Sequence, residues 1–125
     1  AKYYAGICYL NLNDYDKAIK YLEDYNPSGD VTPAMTYAGL GDAYSEKKND
    51  DKALSNYQKA ASSADNDVTG PYTLKKLGMF QEKMGKWSDA EKSYKKILDD
   101  YAQTPEAPAI EVFYERAKLK AAEKK

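Results

Sequence analysis

Apolar and polar residues recur along this chain with the spacing of amphipathic helices, and short polar breaks separate the helical stretches. The breaks carry residues that begin or end helices, such as Asn13 and Asp14 or the proline-containing stretch 26–29. The pattern therefore predicts a chain built from helices alone. Seven helices are predicted, over about residues 1–12, 14–25, 33–47, 50–62, 71–84, 88–101 and 104–123.

Several residues at the breaks are typical helix caps. Asp14 and Asn49 are predicted N-caps, because their side chains can accept hydrogen bonds from the first free backbone N–H groups. The Ser-Asp-Ala-Glu stretch at 88–91 has the spacing of a capping box. Pro71 is predicted to open the fifth helix, and Gly85 to end it.

Small residues return at a constant interval. The anchors are Gly6, Gly41 and Gly78, each followed twelve residues later by Ala18, Ala53 and Ala90. Both sets are spaced by 35 and then 37 residues, which indicates an internal repeat of two helices joined by a tight turn. Helices that cross at roughly 8–10 Å need a small residue where they come closest. We therefore expect these anchors at the helix crossings.

The anchors and their neighbours resemble the tetratricopeptide repeat. The resemblance covers about residues 1–101, with Gln81, Leu22 and Tyr25 as departures from the usual pattern. It implies an all-α, right-handed solenoid of three antiparallel helix pairs, with repeats at about 1–30, 31–68 and 69–103 in a single domain 1–125. The matching residues are Gly6, Tyr9 and Ala18; Leu40, Gly41, Ala43, Tyr44, Ala53, Tyr57 and Ala60; and Leu77, Gly78, Ala90 and Tyr94.

The seventh helix lacks the glycine and alanine anchors. We predict that it caps the third repeat over about 104–123, through an apolar stripe on one face. The alternative is that it is the first helix of a fourth repeat. The stripe contains Ile110, Phe113, Tyr114, Ala117 and Ala121.

The chain begins inside a repeat, since only five residues precede Gly6, so we expect a fragment of a longer protein. It also resembles the C-terminal part of bacterial envelope-anchored tetratricopeptide proteins, which carry one N-terminal membrane helix. That resemblance implies a periplasmic or envelope location and an anchor in an upstream segment, with a cytoplasmic location as the alternative. Within the chain no stretch is apolar enough to span a membrane, so no direct membrane contact is expected.

Composition argues against several kinds of function. The net charge of −1 gives no support for nucleic-acid binding. Histidine is absent and cysteine occurs once, which excludes His-based catalysis and the usual zinc sites. We therefore expect no enzyme activity, no cofactor and no metal. Cys8 matches Ala43 and Phe80 in the repeat, so we expect it to be buried.

These features predict a protein–protein interaction scaffold or adaptor. The resemblance implies that the first helix of each pair lines a concave groove, in which a peptide or protein segment would bind. Some of the groove residues could instead cover neighbouring helices. A second hypothesis is an assembly part that associates, with itself or another chain, through its N-terminal edge. The predicted groove residues are Tyr3, Ile7, Leu10, Met35, Ala38, Asp42, Tyr72, Lys75, Met79 and Glu82.

Overall fold

The protein is described by a computed structural model that covers residues 2–27 and 32–123. This part of the chain forms seven α-helices and contains no strand, which confirms the all-α prediction. The boundary predicted between the first two repeats lies outside the described residues. The helices are α1 (Lys2–Asn11), α2 (Tyr15–Asp24), α3 (Thr32–Glu46), α4 (Asp50–Ser63), α5 (Thr69–Lys83), α6 (Trp87–Asp100) and α7 (Ala107–Glu123).

The helices belong to two compact units, Ala1–Ala64 and Asp65–Lys125. In the first unit α1 packs on α2, α3 packs on α4, and α2 joins the two pairs through α3. In the second unit α5 pairs with α6, and α7 packs mainly on α6. Ile110 and Ala117 of α7 are fully buried, so part of the predicted apolar stripe lies in the core of this unit. The predicted limits of the repeats and the capping role of α7 stay predictions.

Each helix pair closes around one of the three anchor glycines. A methyl group added at Gly41 would lie 2.6 Å from Cδ1 of Tyr57. At Gly78 the added carbon would lie 2.5 Å from Cε1 of Tyr94. Gly6 faces Leu22 in the same way, at 2.6 Å from its Cγ atom. The anchor glycines therefore lie at close helix contacts, where each makes room for a large side chain sixteen residues further along the chain.

The turn inside each pair has the same backbone conformation. Asn13, Lys48 and Gly85 adopt φ angles of 62°, 64° and 74°, which is the left-handed region that usually follows the end of a helix. One residue later, the N–H group of Asp14 donates to the carbonyl of Tyr9 at 2.9 Å, and the two other turns repeat this bond. Gly85 ends α5 as predicted. Lys48 adopts the same left-handed φ at the equivalent turn position, although its side chain disfavours that conformation.

Caps follow the turns, and one predicted cap is wrong. The side chains of Asp14 and Asn49 accept hydrogen bonds from the N–H groups of Lys17 and Lys52, as expected for N-caps. The equivalent residue of the third pair is Lys86, which has no acceptor and makes no side-chain cap. The helix α6 begins directly after it. Because the turn fixes that start, the Ser88 capping box lies inside the helix and does not cap it.

Two helix starts also differ from the prediction. Helix α5 begins at Thr69, two residues before Pro71, because the side chain of Asn66 accepts hydrogen bonds from the N–H groups of Val68 and Thr69 at 3.0 and 2.8 Å. Helix α7 begins at Ala107 rather than at Thr104. The Thr104 hydroxyl donates to the carbonyl of Tyr101 at 2.7 Å and so belongs to the turn before the helix.

Cys8 is exposed, which contradicts the expectation that it is buried. Its repeat counterparts Ala43 and Phe80 are buried. Helix α1 packs against α2 and α3, and the face that carries Cys8 and the 72% exposed Tyr4 is turned away from both. Among the described residues, no helix is both long and apolar enough to cross a membrane.

We predict that Gly41→Ala destabilises the protein by about 1–2 kcal/mol, because the clash with Tyr57 outweighs the gain in helix propensity. Gly39→Ala in the same helix is the control. Its added carbon would lie 3.2 Å from the flexible end of Leu22, so the free energy of unfolding should stay within about 1 kcal/mol of the parent. Denaturant titrations measure both. Equal stability of the two variants would contradict the assignment of Gly41 to the close contact.

Candidate functional site

The predicted groove residues of the first unit lie on α1 and α3, and they differ in how much surface they offer. Ile7 and Leu10 are half-buried, and both reach Gly39 of α3: a methyl group added there would lie 3.6 Å and 3.7 Å from their Cδ atoms. They therefore hold α1 against α3 and still leave part of their surface open. Met35 is also half-buried, whereas Ala38 is only 1% exposed and lies beneath the surface.

The remaining two members of this set are held by polar and aromatic contacts. Tyr3 is half-buried, and its ring centroid lies 5.3 Å from that of Tyr4 and 5.7 Å from that of Tyr25. Asp42 accepts a hydrogen bond from the hydroxyl of Tyr57. Tyr57 also packs against Gly41 at the helix crossing. The hydrogen bond therefore holds the Asp42 side chain next to that crossing.

The second unit contains the most exposed members of the set. Tyr72 is 41% exposed and Met79 is 49% exposed, and both lie on α5 two turns apart, on one face of the helix. The ammonium group of Lys76 lies 5.3 Å from the centroid of the Tyr72 ring. The two apolar side chains thus form an open patch on one face of α5, with Lys76 between them along the helix.

Lys75 and Glu82 are directed towards α7. The Lys75 ammonium lies 5.6 Å from the centre of the Phe113 ring. Glu82 accepts two hydrogen bonds from Arg116, at 2.7 and 3.2 Å, and the Arg116 guanidinium lies over the same ring at 5.0 Å. Our sequence reasoning missed the role of Arg116. The pairing joins side chains that are 34 residues apart, on α5 and α7, so no local pattern indicates it.

Tyr94 lies beneath this cluster and is fully buried, with its ring centroid 5.8 Å from that of Phe113. Burial raises the pKa of its hydroxyl above the usual range; Glu82 raises that pKa further, and Arg116 opposes the shift. The hydroxyl is near both charged groups, but none of the described residues gives it a hydrogen bond of normal geometry.

The described residues bring together no set of side chains suited to bind a metal. Within 2–27 and 32–123, no group of three or more His, Cys, Asp or Glu side chains is close enough to hold an ion. Most ion pairs instead join exposed side chains within or between helices, as between Lys95 and Asp99 or between Lys2 and Asp24. The two units therefore mainly present surfaces on which apolar and charged side chains lie side by side.

We predict that Tyr94→Phe has a small effect at neutral pH and a larger one in alkali. Without a hydrogen bond to lose, the variant should stay within about 1 kcal/mol of the parent at pH 7. The raised pKa means that the folded state holds the phenolic proton more tightly than the unfolded state does. The stabilisation of the folded state by this tighter proton binding is complete below pH about 10 and is lost as the pH rises further.

The free energy of unfolding should therefore fall less steeply above pH about 10 in Tyr94→Phe than in the parent. Only part of the slope is removed, because burial and the adjoining Glu23 raise the pKa of Tyr44 to about 12. Denaturant titrations at several alkaline pH values measure the slope. An unchanged slope would mean that Tyr94 ionises alike in both states.

Comparison with known proteins agrees with the repeat seen in the structure. A family model of the tetratricopeptide repeat matches residues 1–26 and 73–104, and a second model of the same repeat matches 35–67. These ranges correspond to the three helix pairs, while α7 lies beyond them. No curated protein sequence matches the chain significantly. Tetratricopeptide repeats generally mediate protein–protein interaction and typically serve as non-enzymatic scaffolds. The chain belongs to the tetratricopeptide repeat family.

Proposed function

We propose that the protein binds a peptide or protein segment through the faces of its first helices, as a scaffold or adaptor. The observation that carries this proposal is the patch formed by Tyr72 and Met79, which packing leaves 41% and 49% exposed. Large exposed apolar side chains on one face often mark an interaction surface. Methionine adapts to different partners, and tyrosine is enriched among residues that dominate binding energy.

Charged side chains around the patch would favour one orientation of a bound partner. Lys76 lies over the Tyr72 ring, Lys75 lies over the Phe113 ring of α7, and the nearby carboxylate of Glu82 is paired with Arg116. A partner with apolar anchors and an acidic group next to them complements this surface. In the first unit, the open parts of Tyr3, Ile7, Leu10 and Met35 supply a second apolar surface of the same kind.

We predict that Tyr72→Ala and Met79→Ala each weaken partner binding by about tenfold or more and change the melting temperature little. Met84→Ala is the matched control, since Met84 is 38% exposed but lies on another side of the chain at the end of α5. Partners are first captured with the parent protein and identified by mass spectrometry, and their affinities for the three variants are then measured by calorimetry.

Unchanged affinity in Tyr72→Ala and Met79→Ala would contradict binding at this patch. A large fall in their melting temperatures would assign both residues to the core. An equal loss in Met84→Ala would point to a general effect of removing a methionine rather than to a defined surface.

Association through the N-terminal edge is the second candidate function, and exposed residues of α1 and of the turn after it favour it. Tyr4, Cys8 and Leu12 follow one another at four-residue intervals; Tyr4 is 72% exposed and Leu12 is 73% exposed, and Cys8 is exposed as well. Sedimentation velocity separates the two functions. Edge association gives a concentration-dependent increase in mass that Tyr4→Ser and Leu12→Ser abolish, whereas a groove binder stays monomeric.

We also propose that the protein is located at the bacterial envelope, with an anchor in an upstream segment. This part of the proposal rests on the resemblance of the sequence alone. Fractionation of cells that express the complete gene tests it. Recovery with the membrane or periplasmic fraction is expected, and recovery in the cytoplasm would contradict it.

A further inference from the structure

The first unit contains a cavity of about 470 Å³ between α2, α3 and α4. Its volume lies in the range of sites that hold small ligands or single side chains of a partner. Apolar residues form part of its wall, and polar residues of α4 form another part. The lining residues are Leu22, Glu23, Tyr25, Pro27, Thr36, Tyr37, Leu40, Lys52, Ser55, Asn56 and Lys59.

This cavity lies on the side of α3 opposite the predicted groove. Each residue of an α-helix is rotated by about 100° from the one before it. The α3 residues predicted for the groove therefore share one face, and those that line the cavity share the opposite one. The groove set on α3 is Met35, Ala38 and Asp42, and the cavity set is Thr36, Tyr37 and Leu40.

Helix α4 presents two lysines to the cavity. Lys52 and Lys59 lie seven residues apart, so they are on one face about two turns from each other. The Lys52 ammonium lies 5.3 Å from the Tyr44 ring centroid, and that of Lys59 lies 5.9 Å from the Tyr37 ring centroid. No carboxylate of the described residues forms an ion pair with either lysine.

Among the described residues, one carboxylate lines the cavity, and it is already engaged. Glu23 accepts a hydrogen bond from the buried hydroxyl of Tyr44. The part of the wall that the structure describes therefore carries two lysines and one carboxylate, and the carboxylate accepts a hydrogen bond from a neutral donor. An incoming carboxylate would complement the excess positive charge.

Polar groups between the two lysines can form hydrogen bonds with the backbone of a bound peptide. The side-chain amide of Asn56 donates to the carbonyl of Lys52 at 2.9 Å, which leaves its oxygen as an acceptor. Ser55 is exposed beside it. The hydroxyl of Thr36 is buried and has no hydrogen-bond partner among the described residues, which is uncommon in folded proteins. Rotation of the Thr36 side chain would offer this donor to an occupant of the cavity.

We propose that this cavity, together with the face of α4 beside it, binds an extended acidic segment of a partner protein. Two residues that are seven apart in a helix are separated by about 10.5 Å along its axis. In an extended polyproline II chain, which has three residues per turn and rises about 3.1 Å per residue, residues three apart lie on the same face and are separated by about 9 Å. The lysine spacing therefore matches a Glu-x-x-Glu segment, whose carboxylates meet Lys52 and Lys59 while the residues between them contact Ser55 and Asn56.

The site is tested by fluorescence anisotropy with a short labelled Glu-x-x-Glu peptide, compared with its Gln-x-x-Gln counterpart, at low salt. We expect binding of the acidic peptide only. Lys52→Gln and Lys59→Gln should each weaken it by about 3–10-fold, and the double variant by more. Lys20→Gln is the matched control, since it removes the same charge from an exposed position of α2 outside the cavity. Added salt should weaken binding by screening.

Each outcome decides the proposal, provided that circular dichroism shows unchanged melting temperatures in the variants. Loss of affinity in the two cavity variants but not in Lys20→Gln supports it. Equal losses in all three would assign the binding to diffuse charge and overturn it. Equal binding of the Gln-x-x-Gln peptide, or no binding of either peptide, would overturn it as well. None of these results depends on the patch formed by Tyr72 and Met79.

Discussion

Each helix pair of this protein depends on one contact, in which a glycine of the first helix makes room for a large side chain of the second. Gly41 and Tyr57 form this contact in one pair, and Gly78 and Tyr94 form it in another. Glycine inside a helix costs about 1 kcal/mol relative to alanine. Full burial of a large side chain contributes about 1.5–3 kcal/mol, so the contact can more than offset that cost.

The same contact sets the positions of the surfaces. Because the two helices meet at a fixed place, the turn between them puts one residue in the left-handed conformation in each pair, and the second helix starts two residues later. In the first unit this geometry gives α3 two opposite faces that each border a candidate binding surface. One face carries Met35 and Asp42, and the other borders the cavity through Thr36 and Leu40. In the second unit it leaves Tyr72 and Met79 open while Glu82 is held by Arg116.

Much of the fold could be predicted from the sequence, because the anchors are local and recur. The spacing of glycine and alanine was enough to predict the helix pairs, and Asp14 and Asn49 indicated where second helices begin. The Ser88 capping box was wrong for a physical reason. The start of α6 is set by the turn at Gly85, and the N–H group of Ala90, from which a cap at Ser88 would accept, already donates to the carbonyl of Lys86.

The surfaces were harder to predict, since they depend on contacts between residues far apart in the chain. Repeat alignment gives Cys8 the helix face that Ala43 has on α3, but α3 packs against the preceding pair as well as against α4, and in the described part of the chain α1 packs only against α2 and α3. The cavity arises from the ends and faces of three helices, and the pattern of α4 alone reads as an ordinary solvated face. The predicted groove residues include both a buried one, Ala38, and an open one, Met79, because period alone does not determine burial.

A double-mutant cycle on Gly41 and Tyr57 tests the central claim most directly. Gly41→Ala, Tyr57→Ala and the double variant are compared with the parent by denaturant titration. If the glycine is needed because of the tyrosine ring, Gly41→Ala should cost at least about 1 kcal/mol less when Ala replaces Tyr57 than in the parent. Additive costs, with no coupling between the two positions, would contradict the claim that this contact sets the geometry of the helix pair.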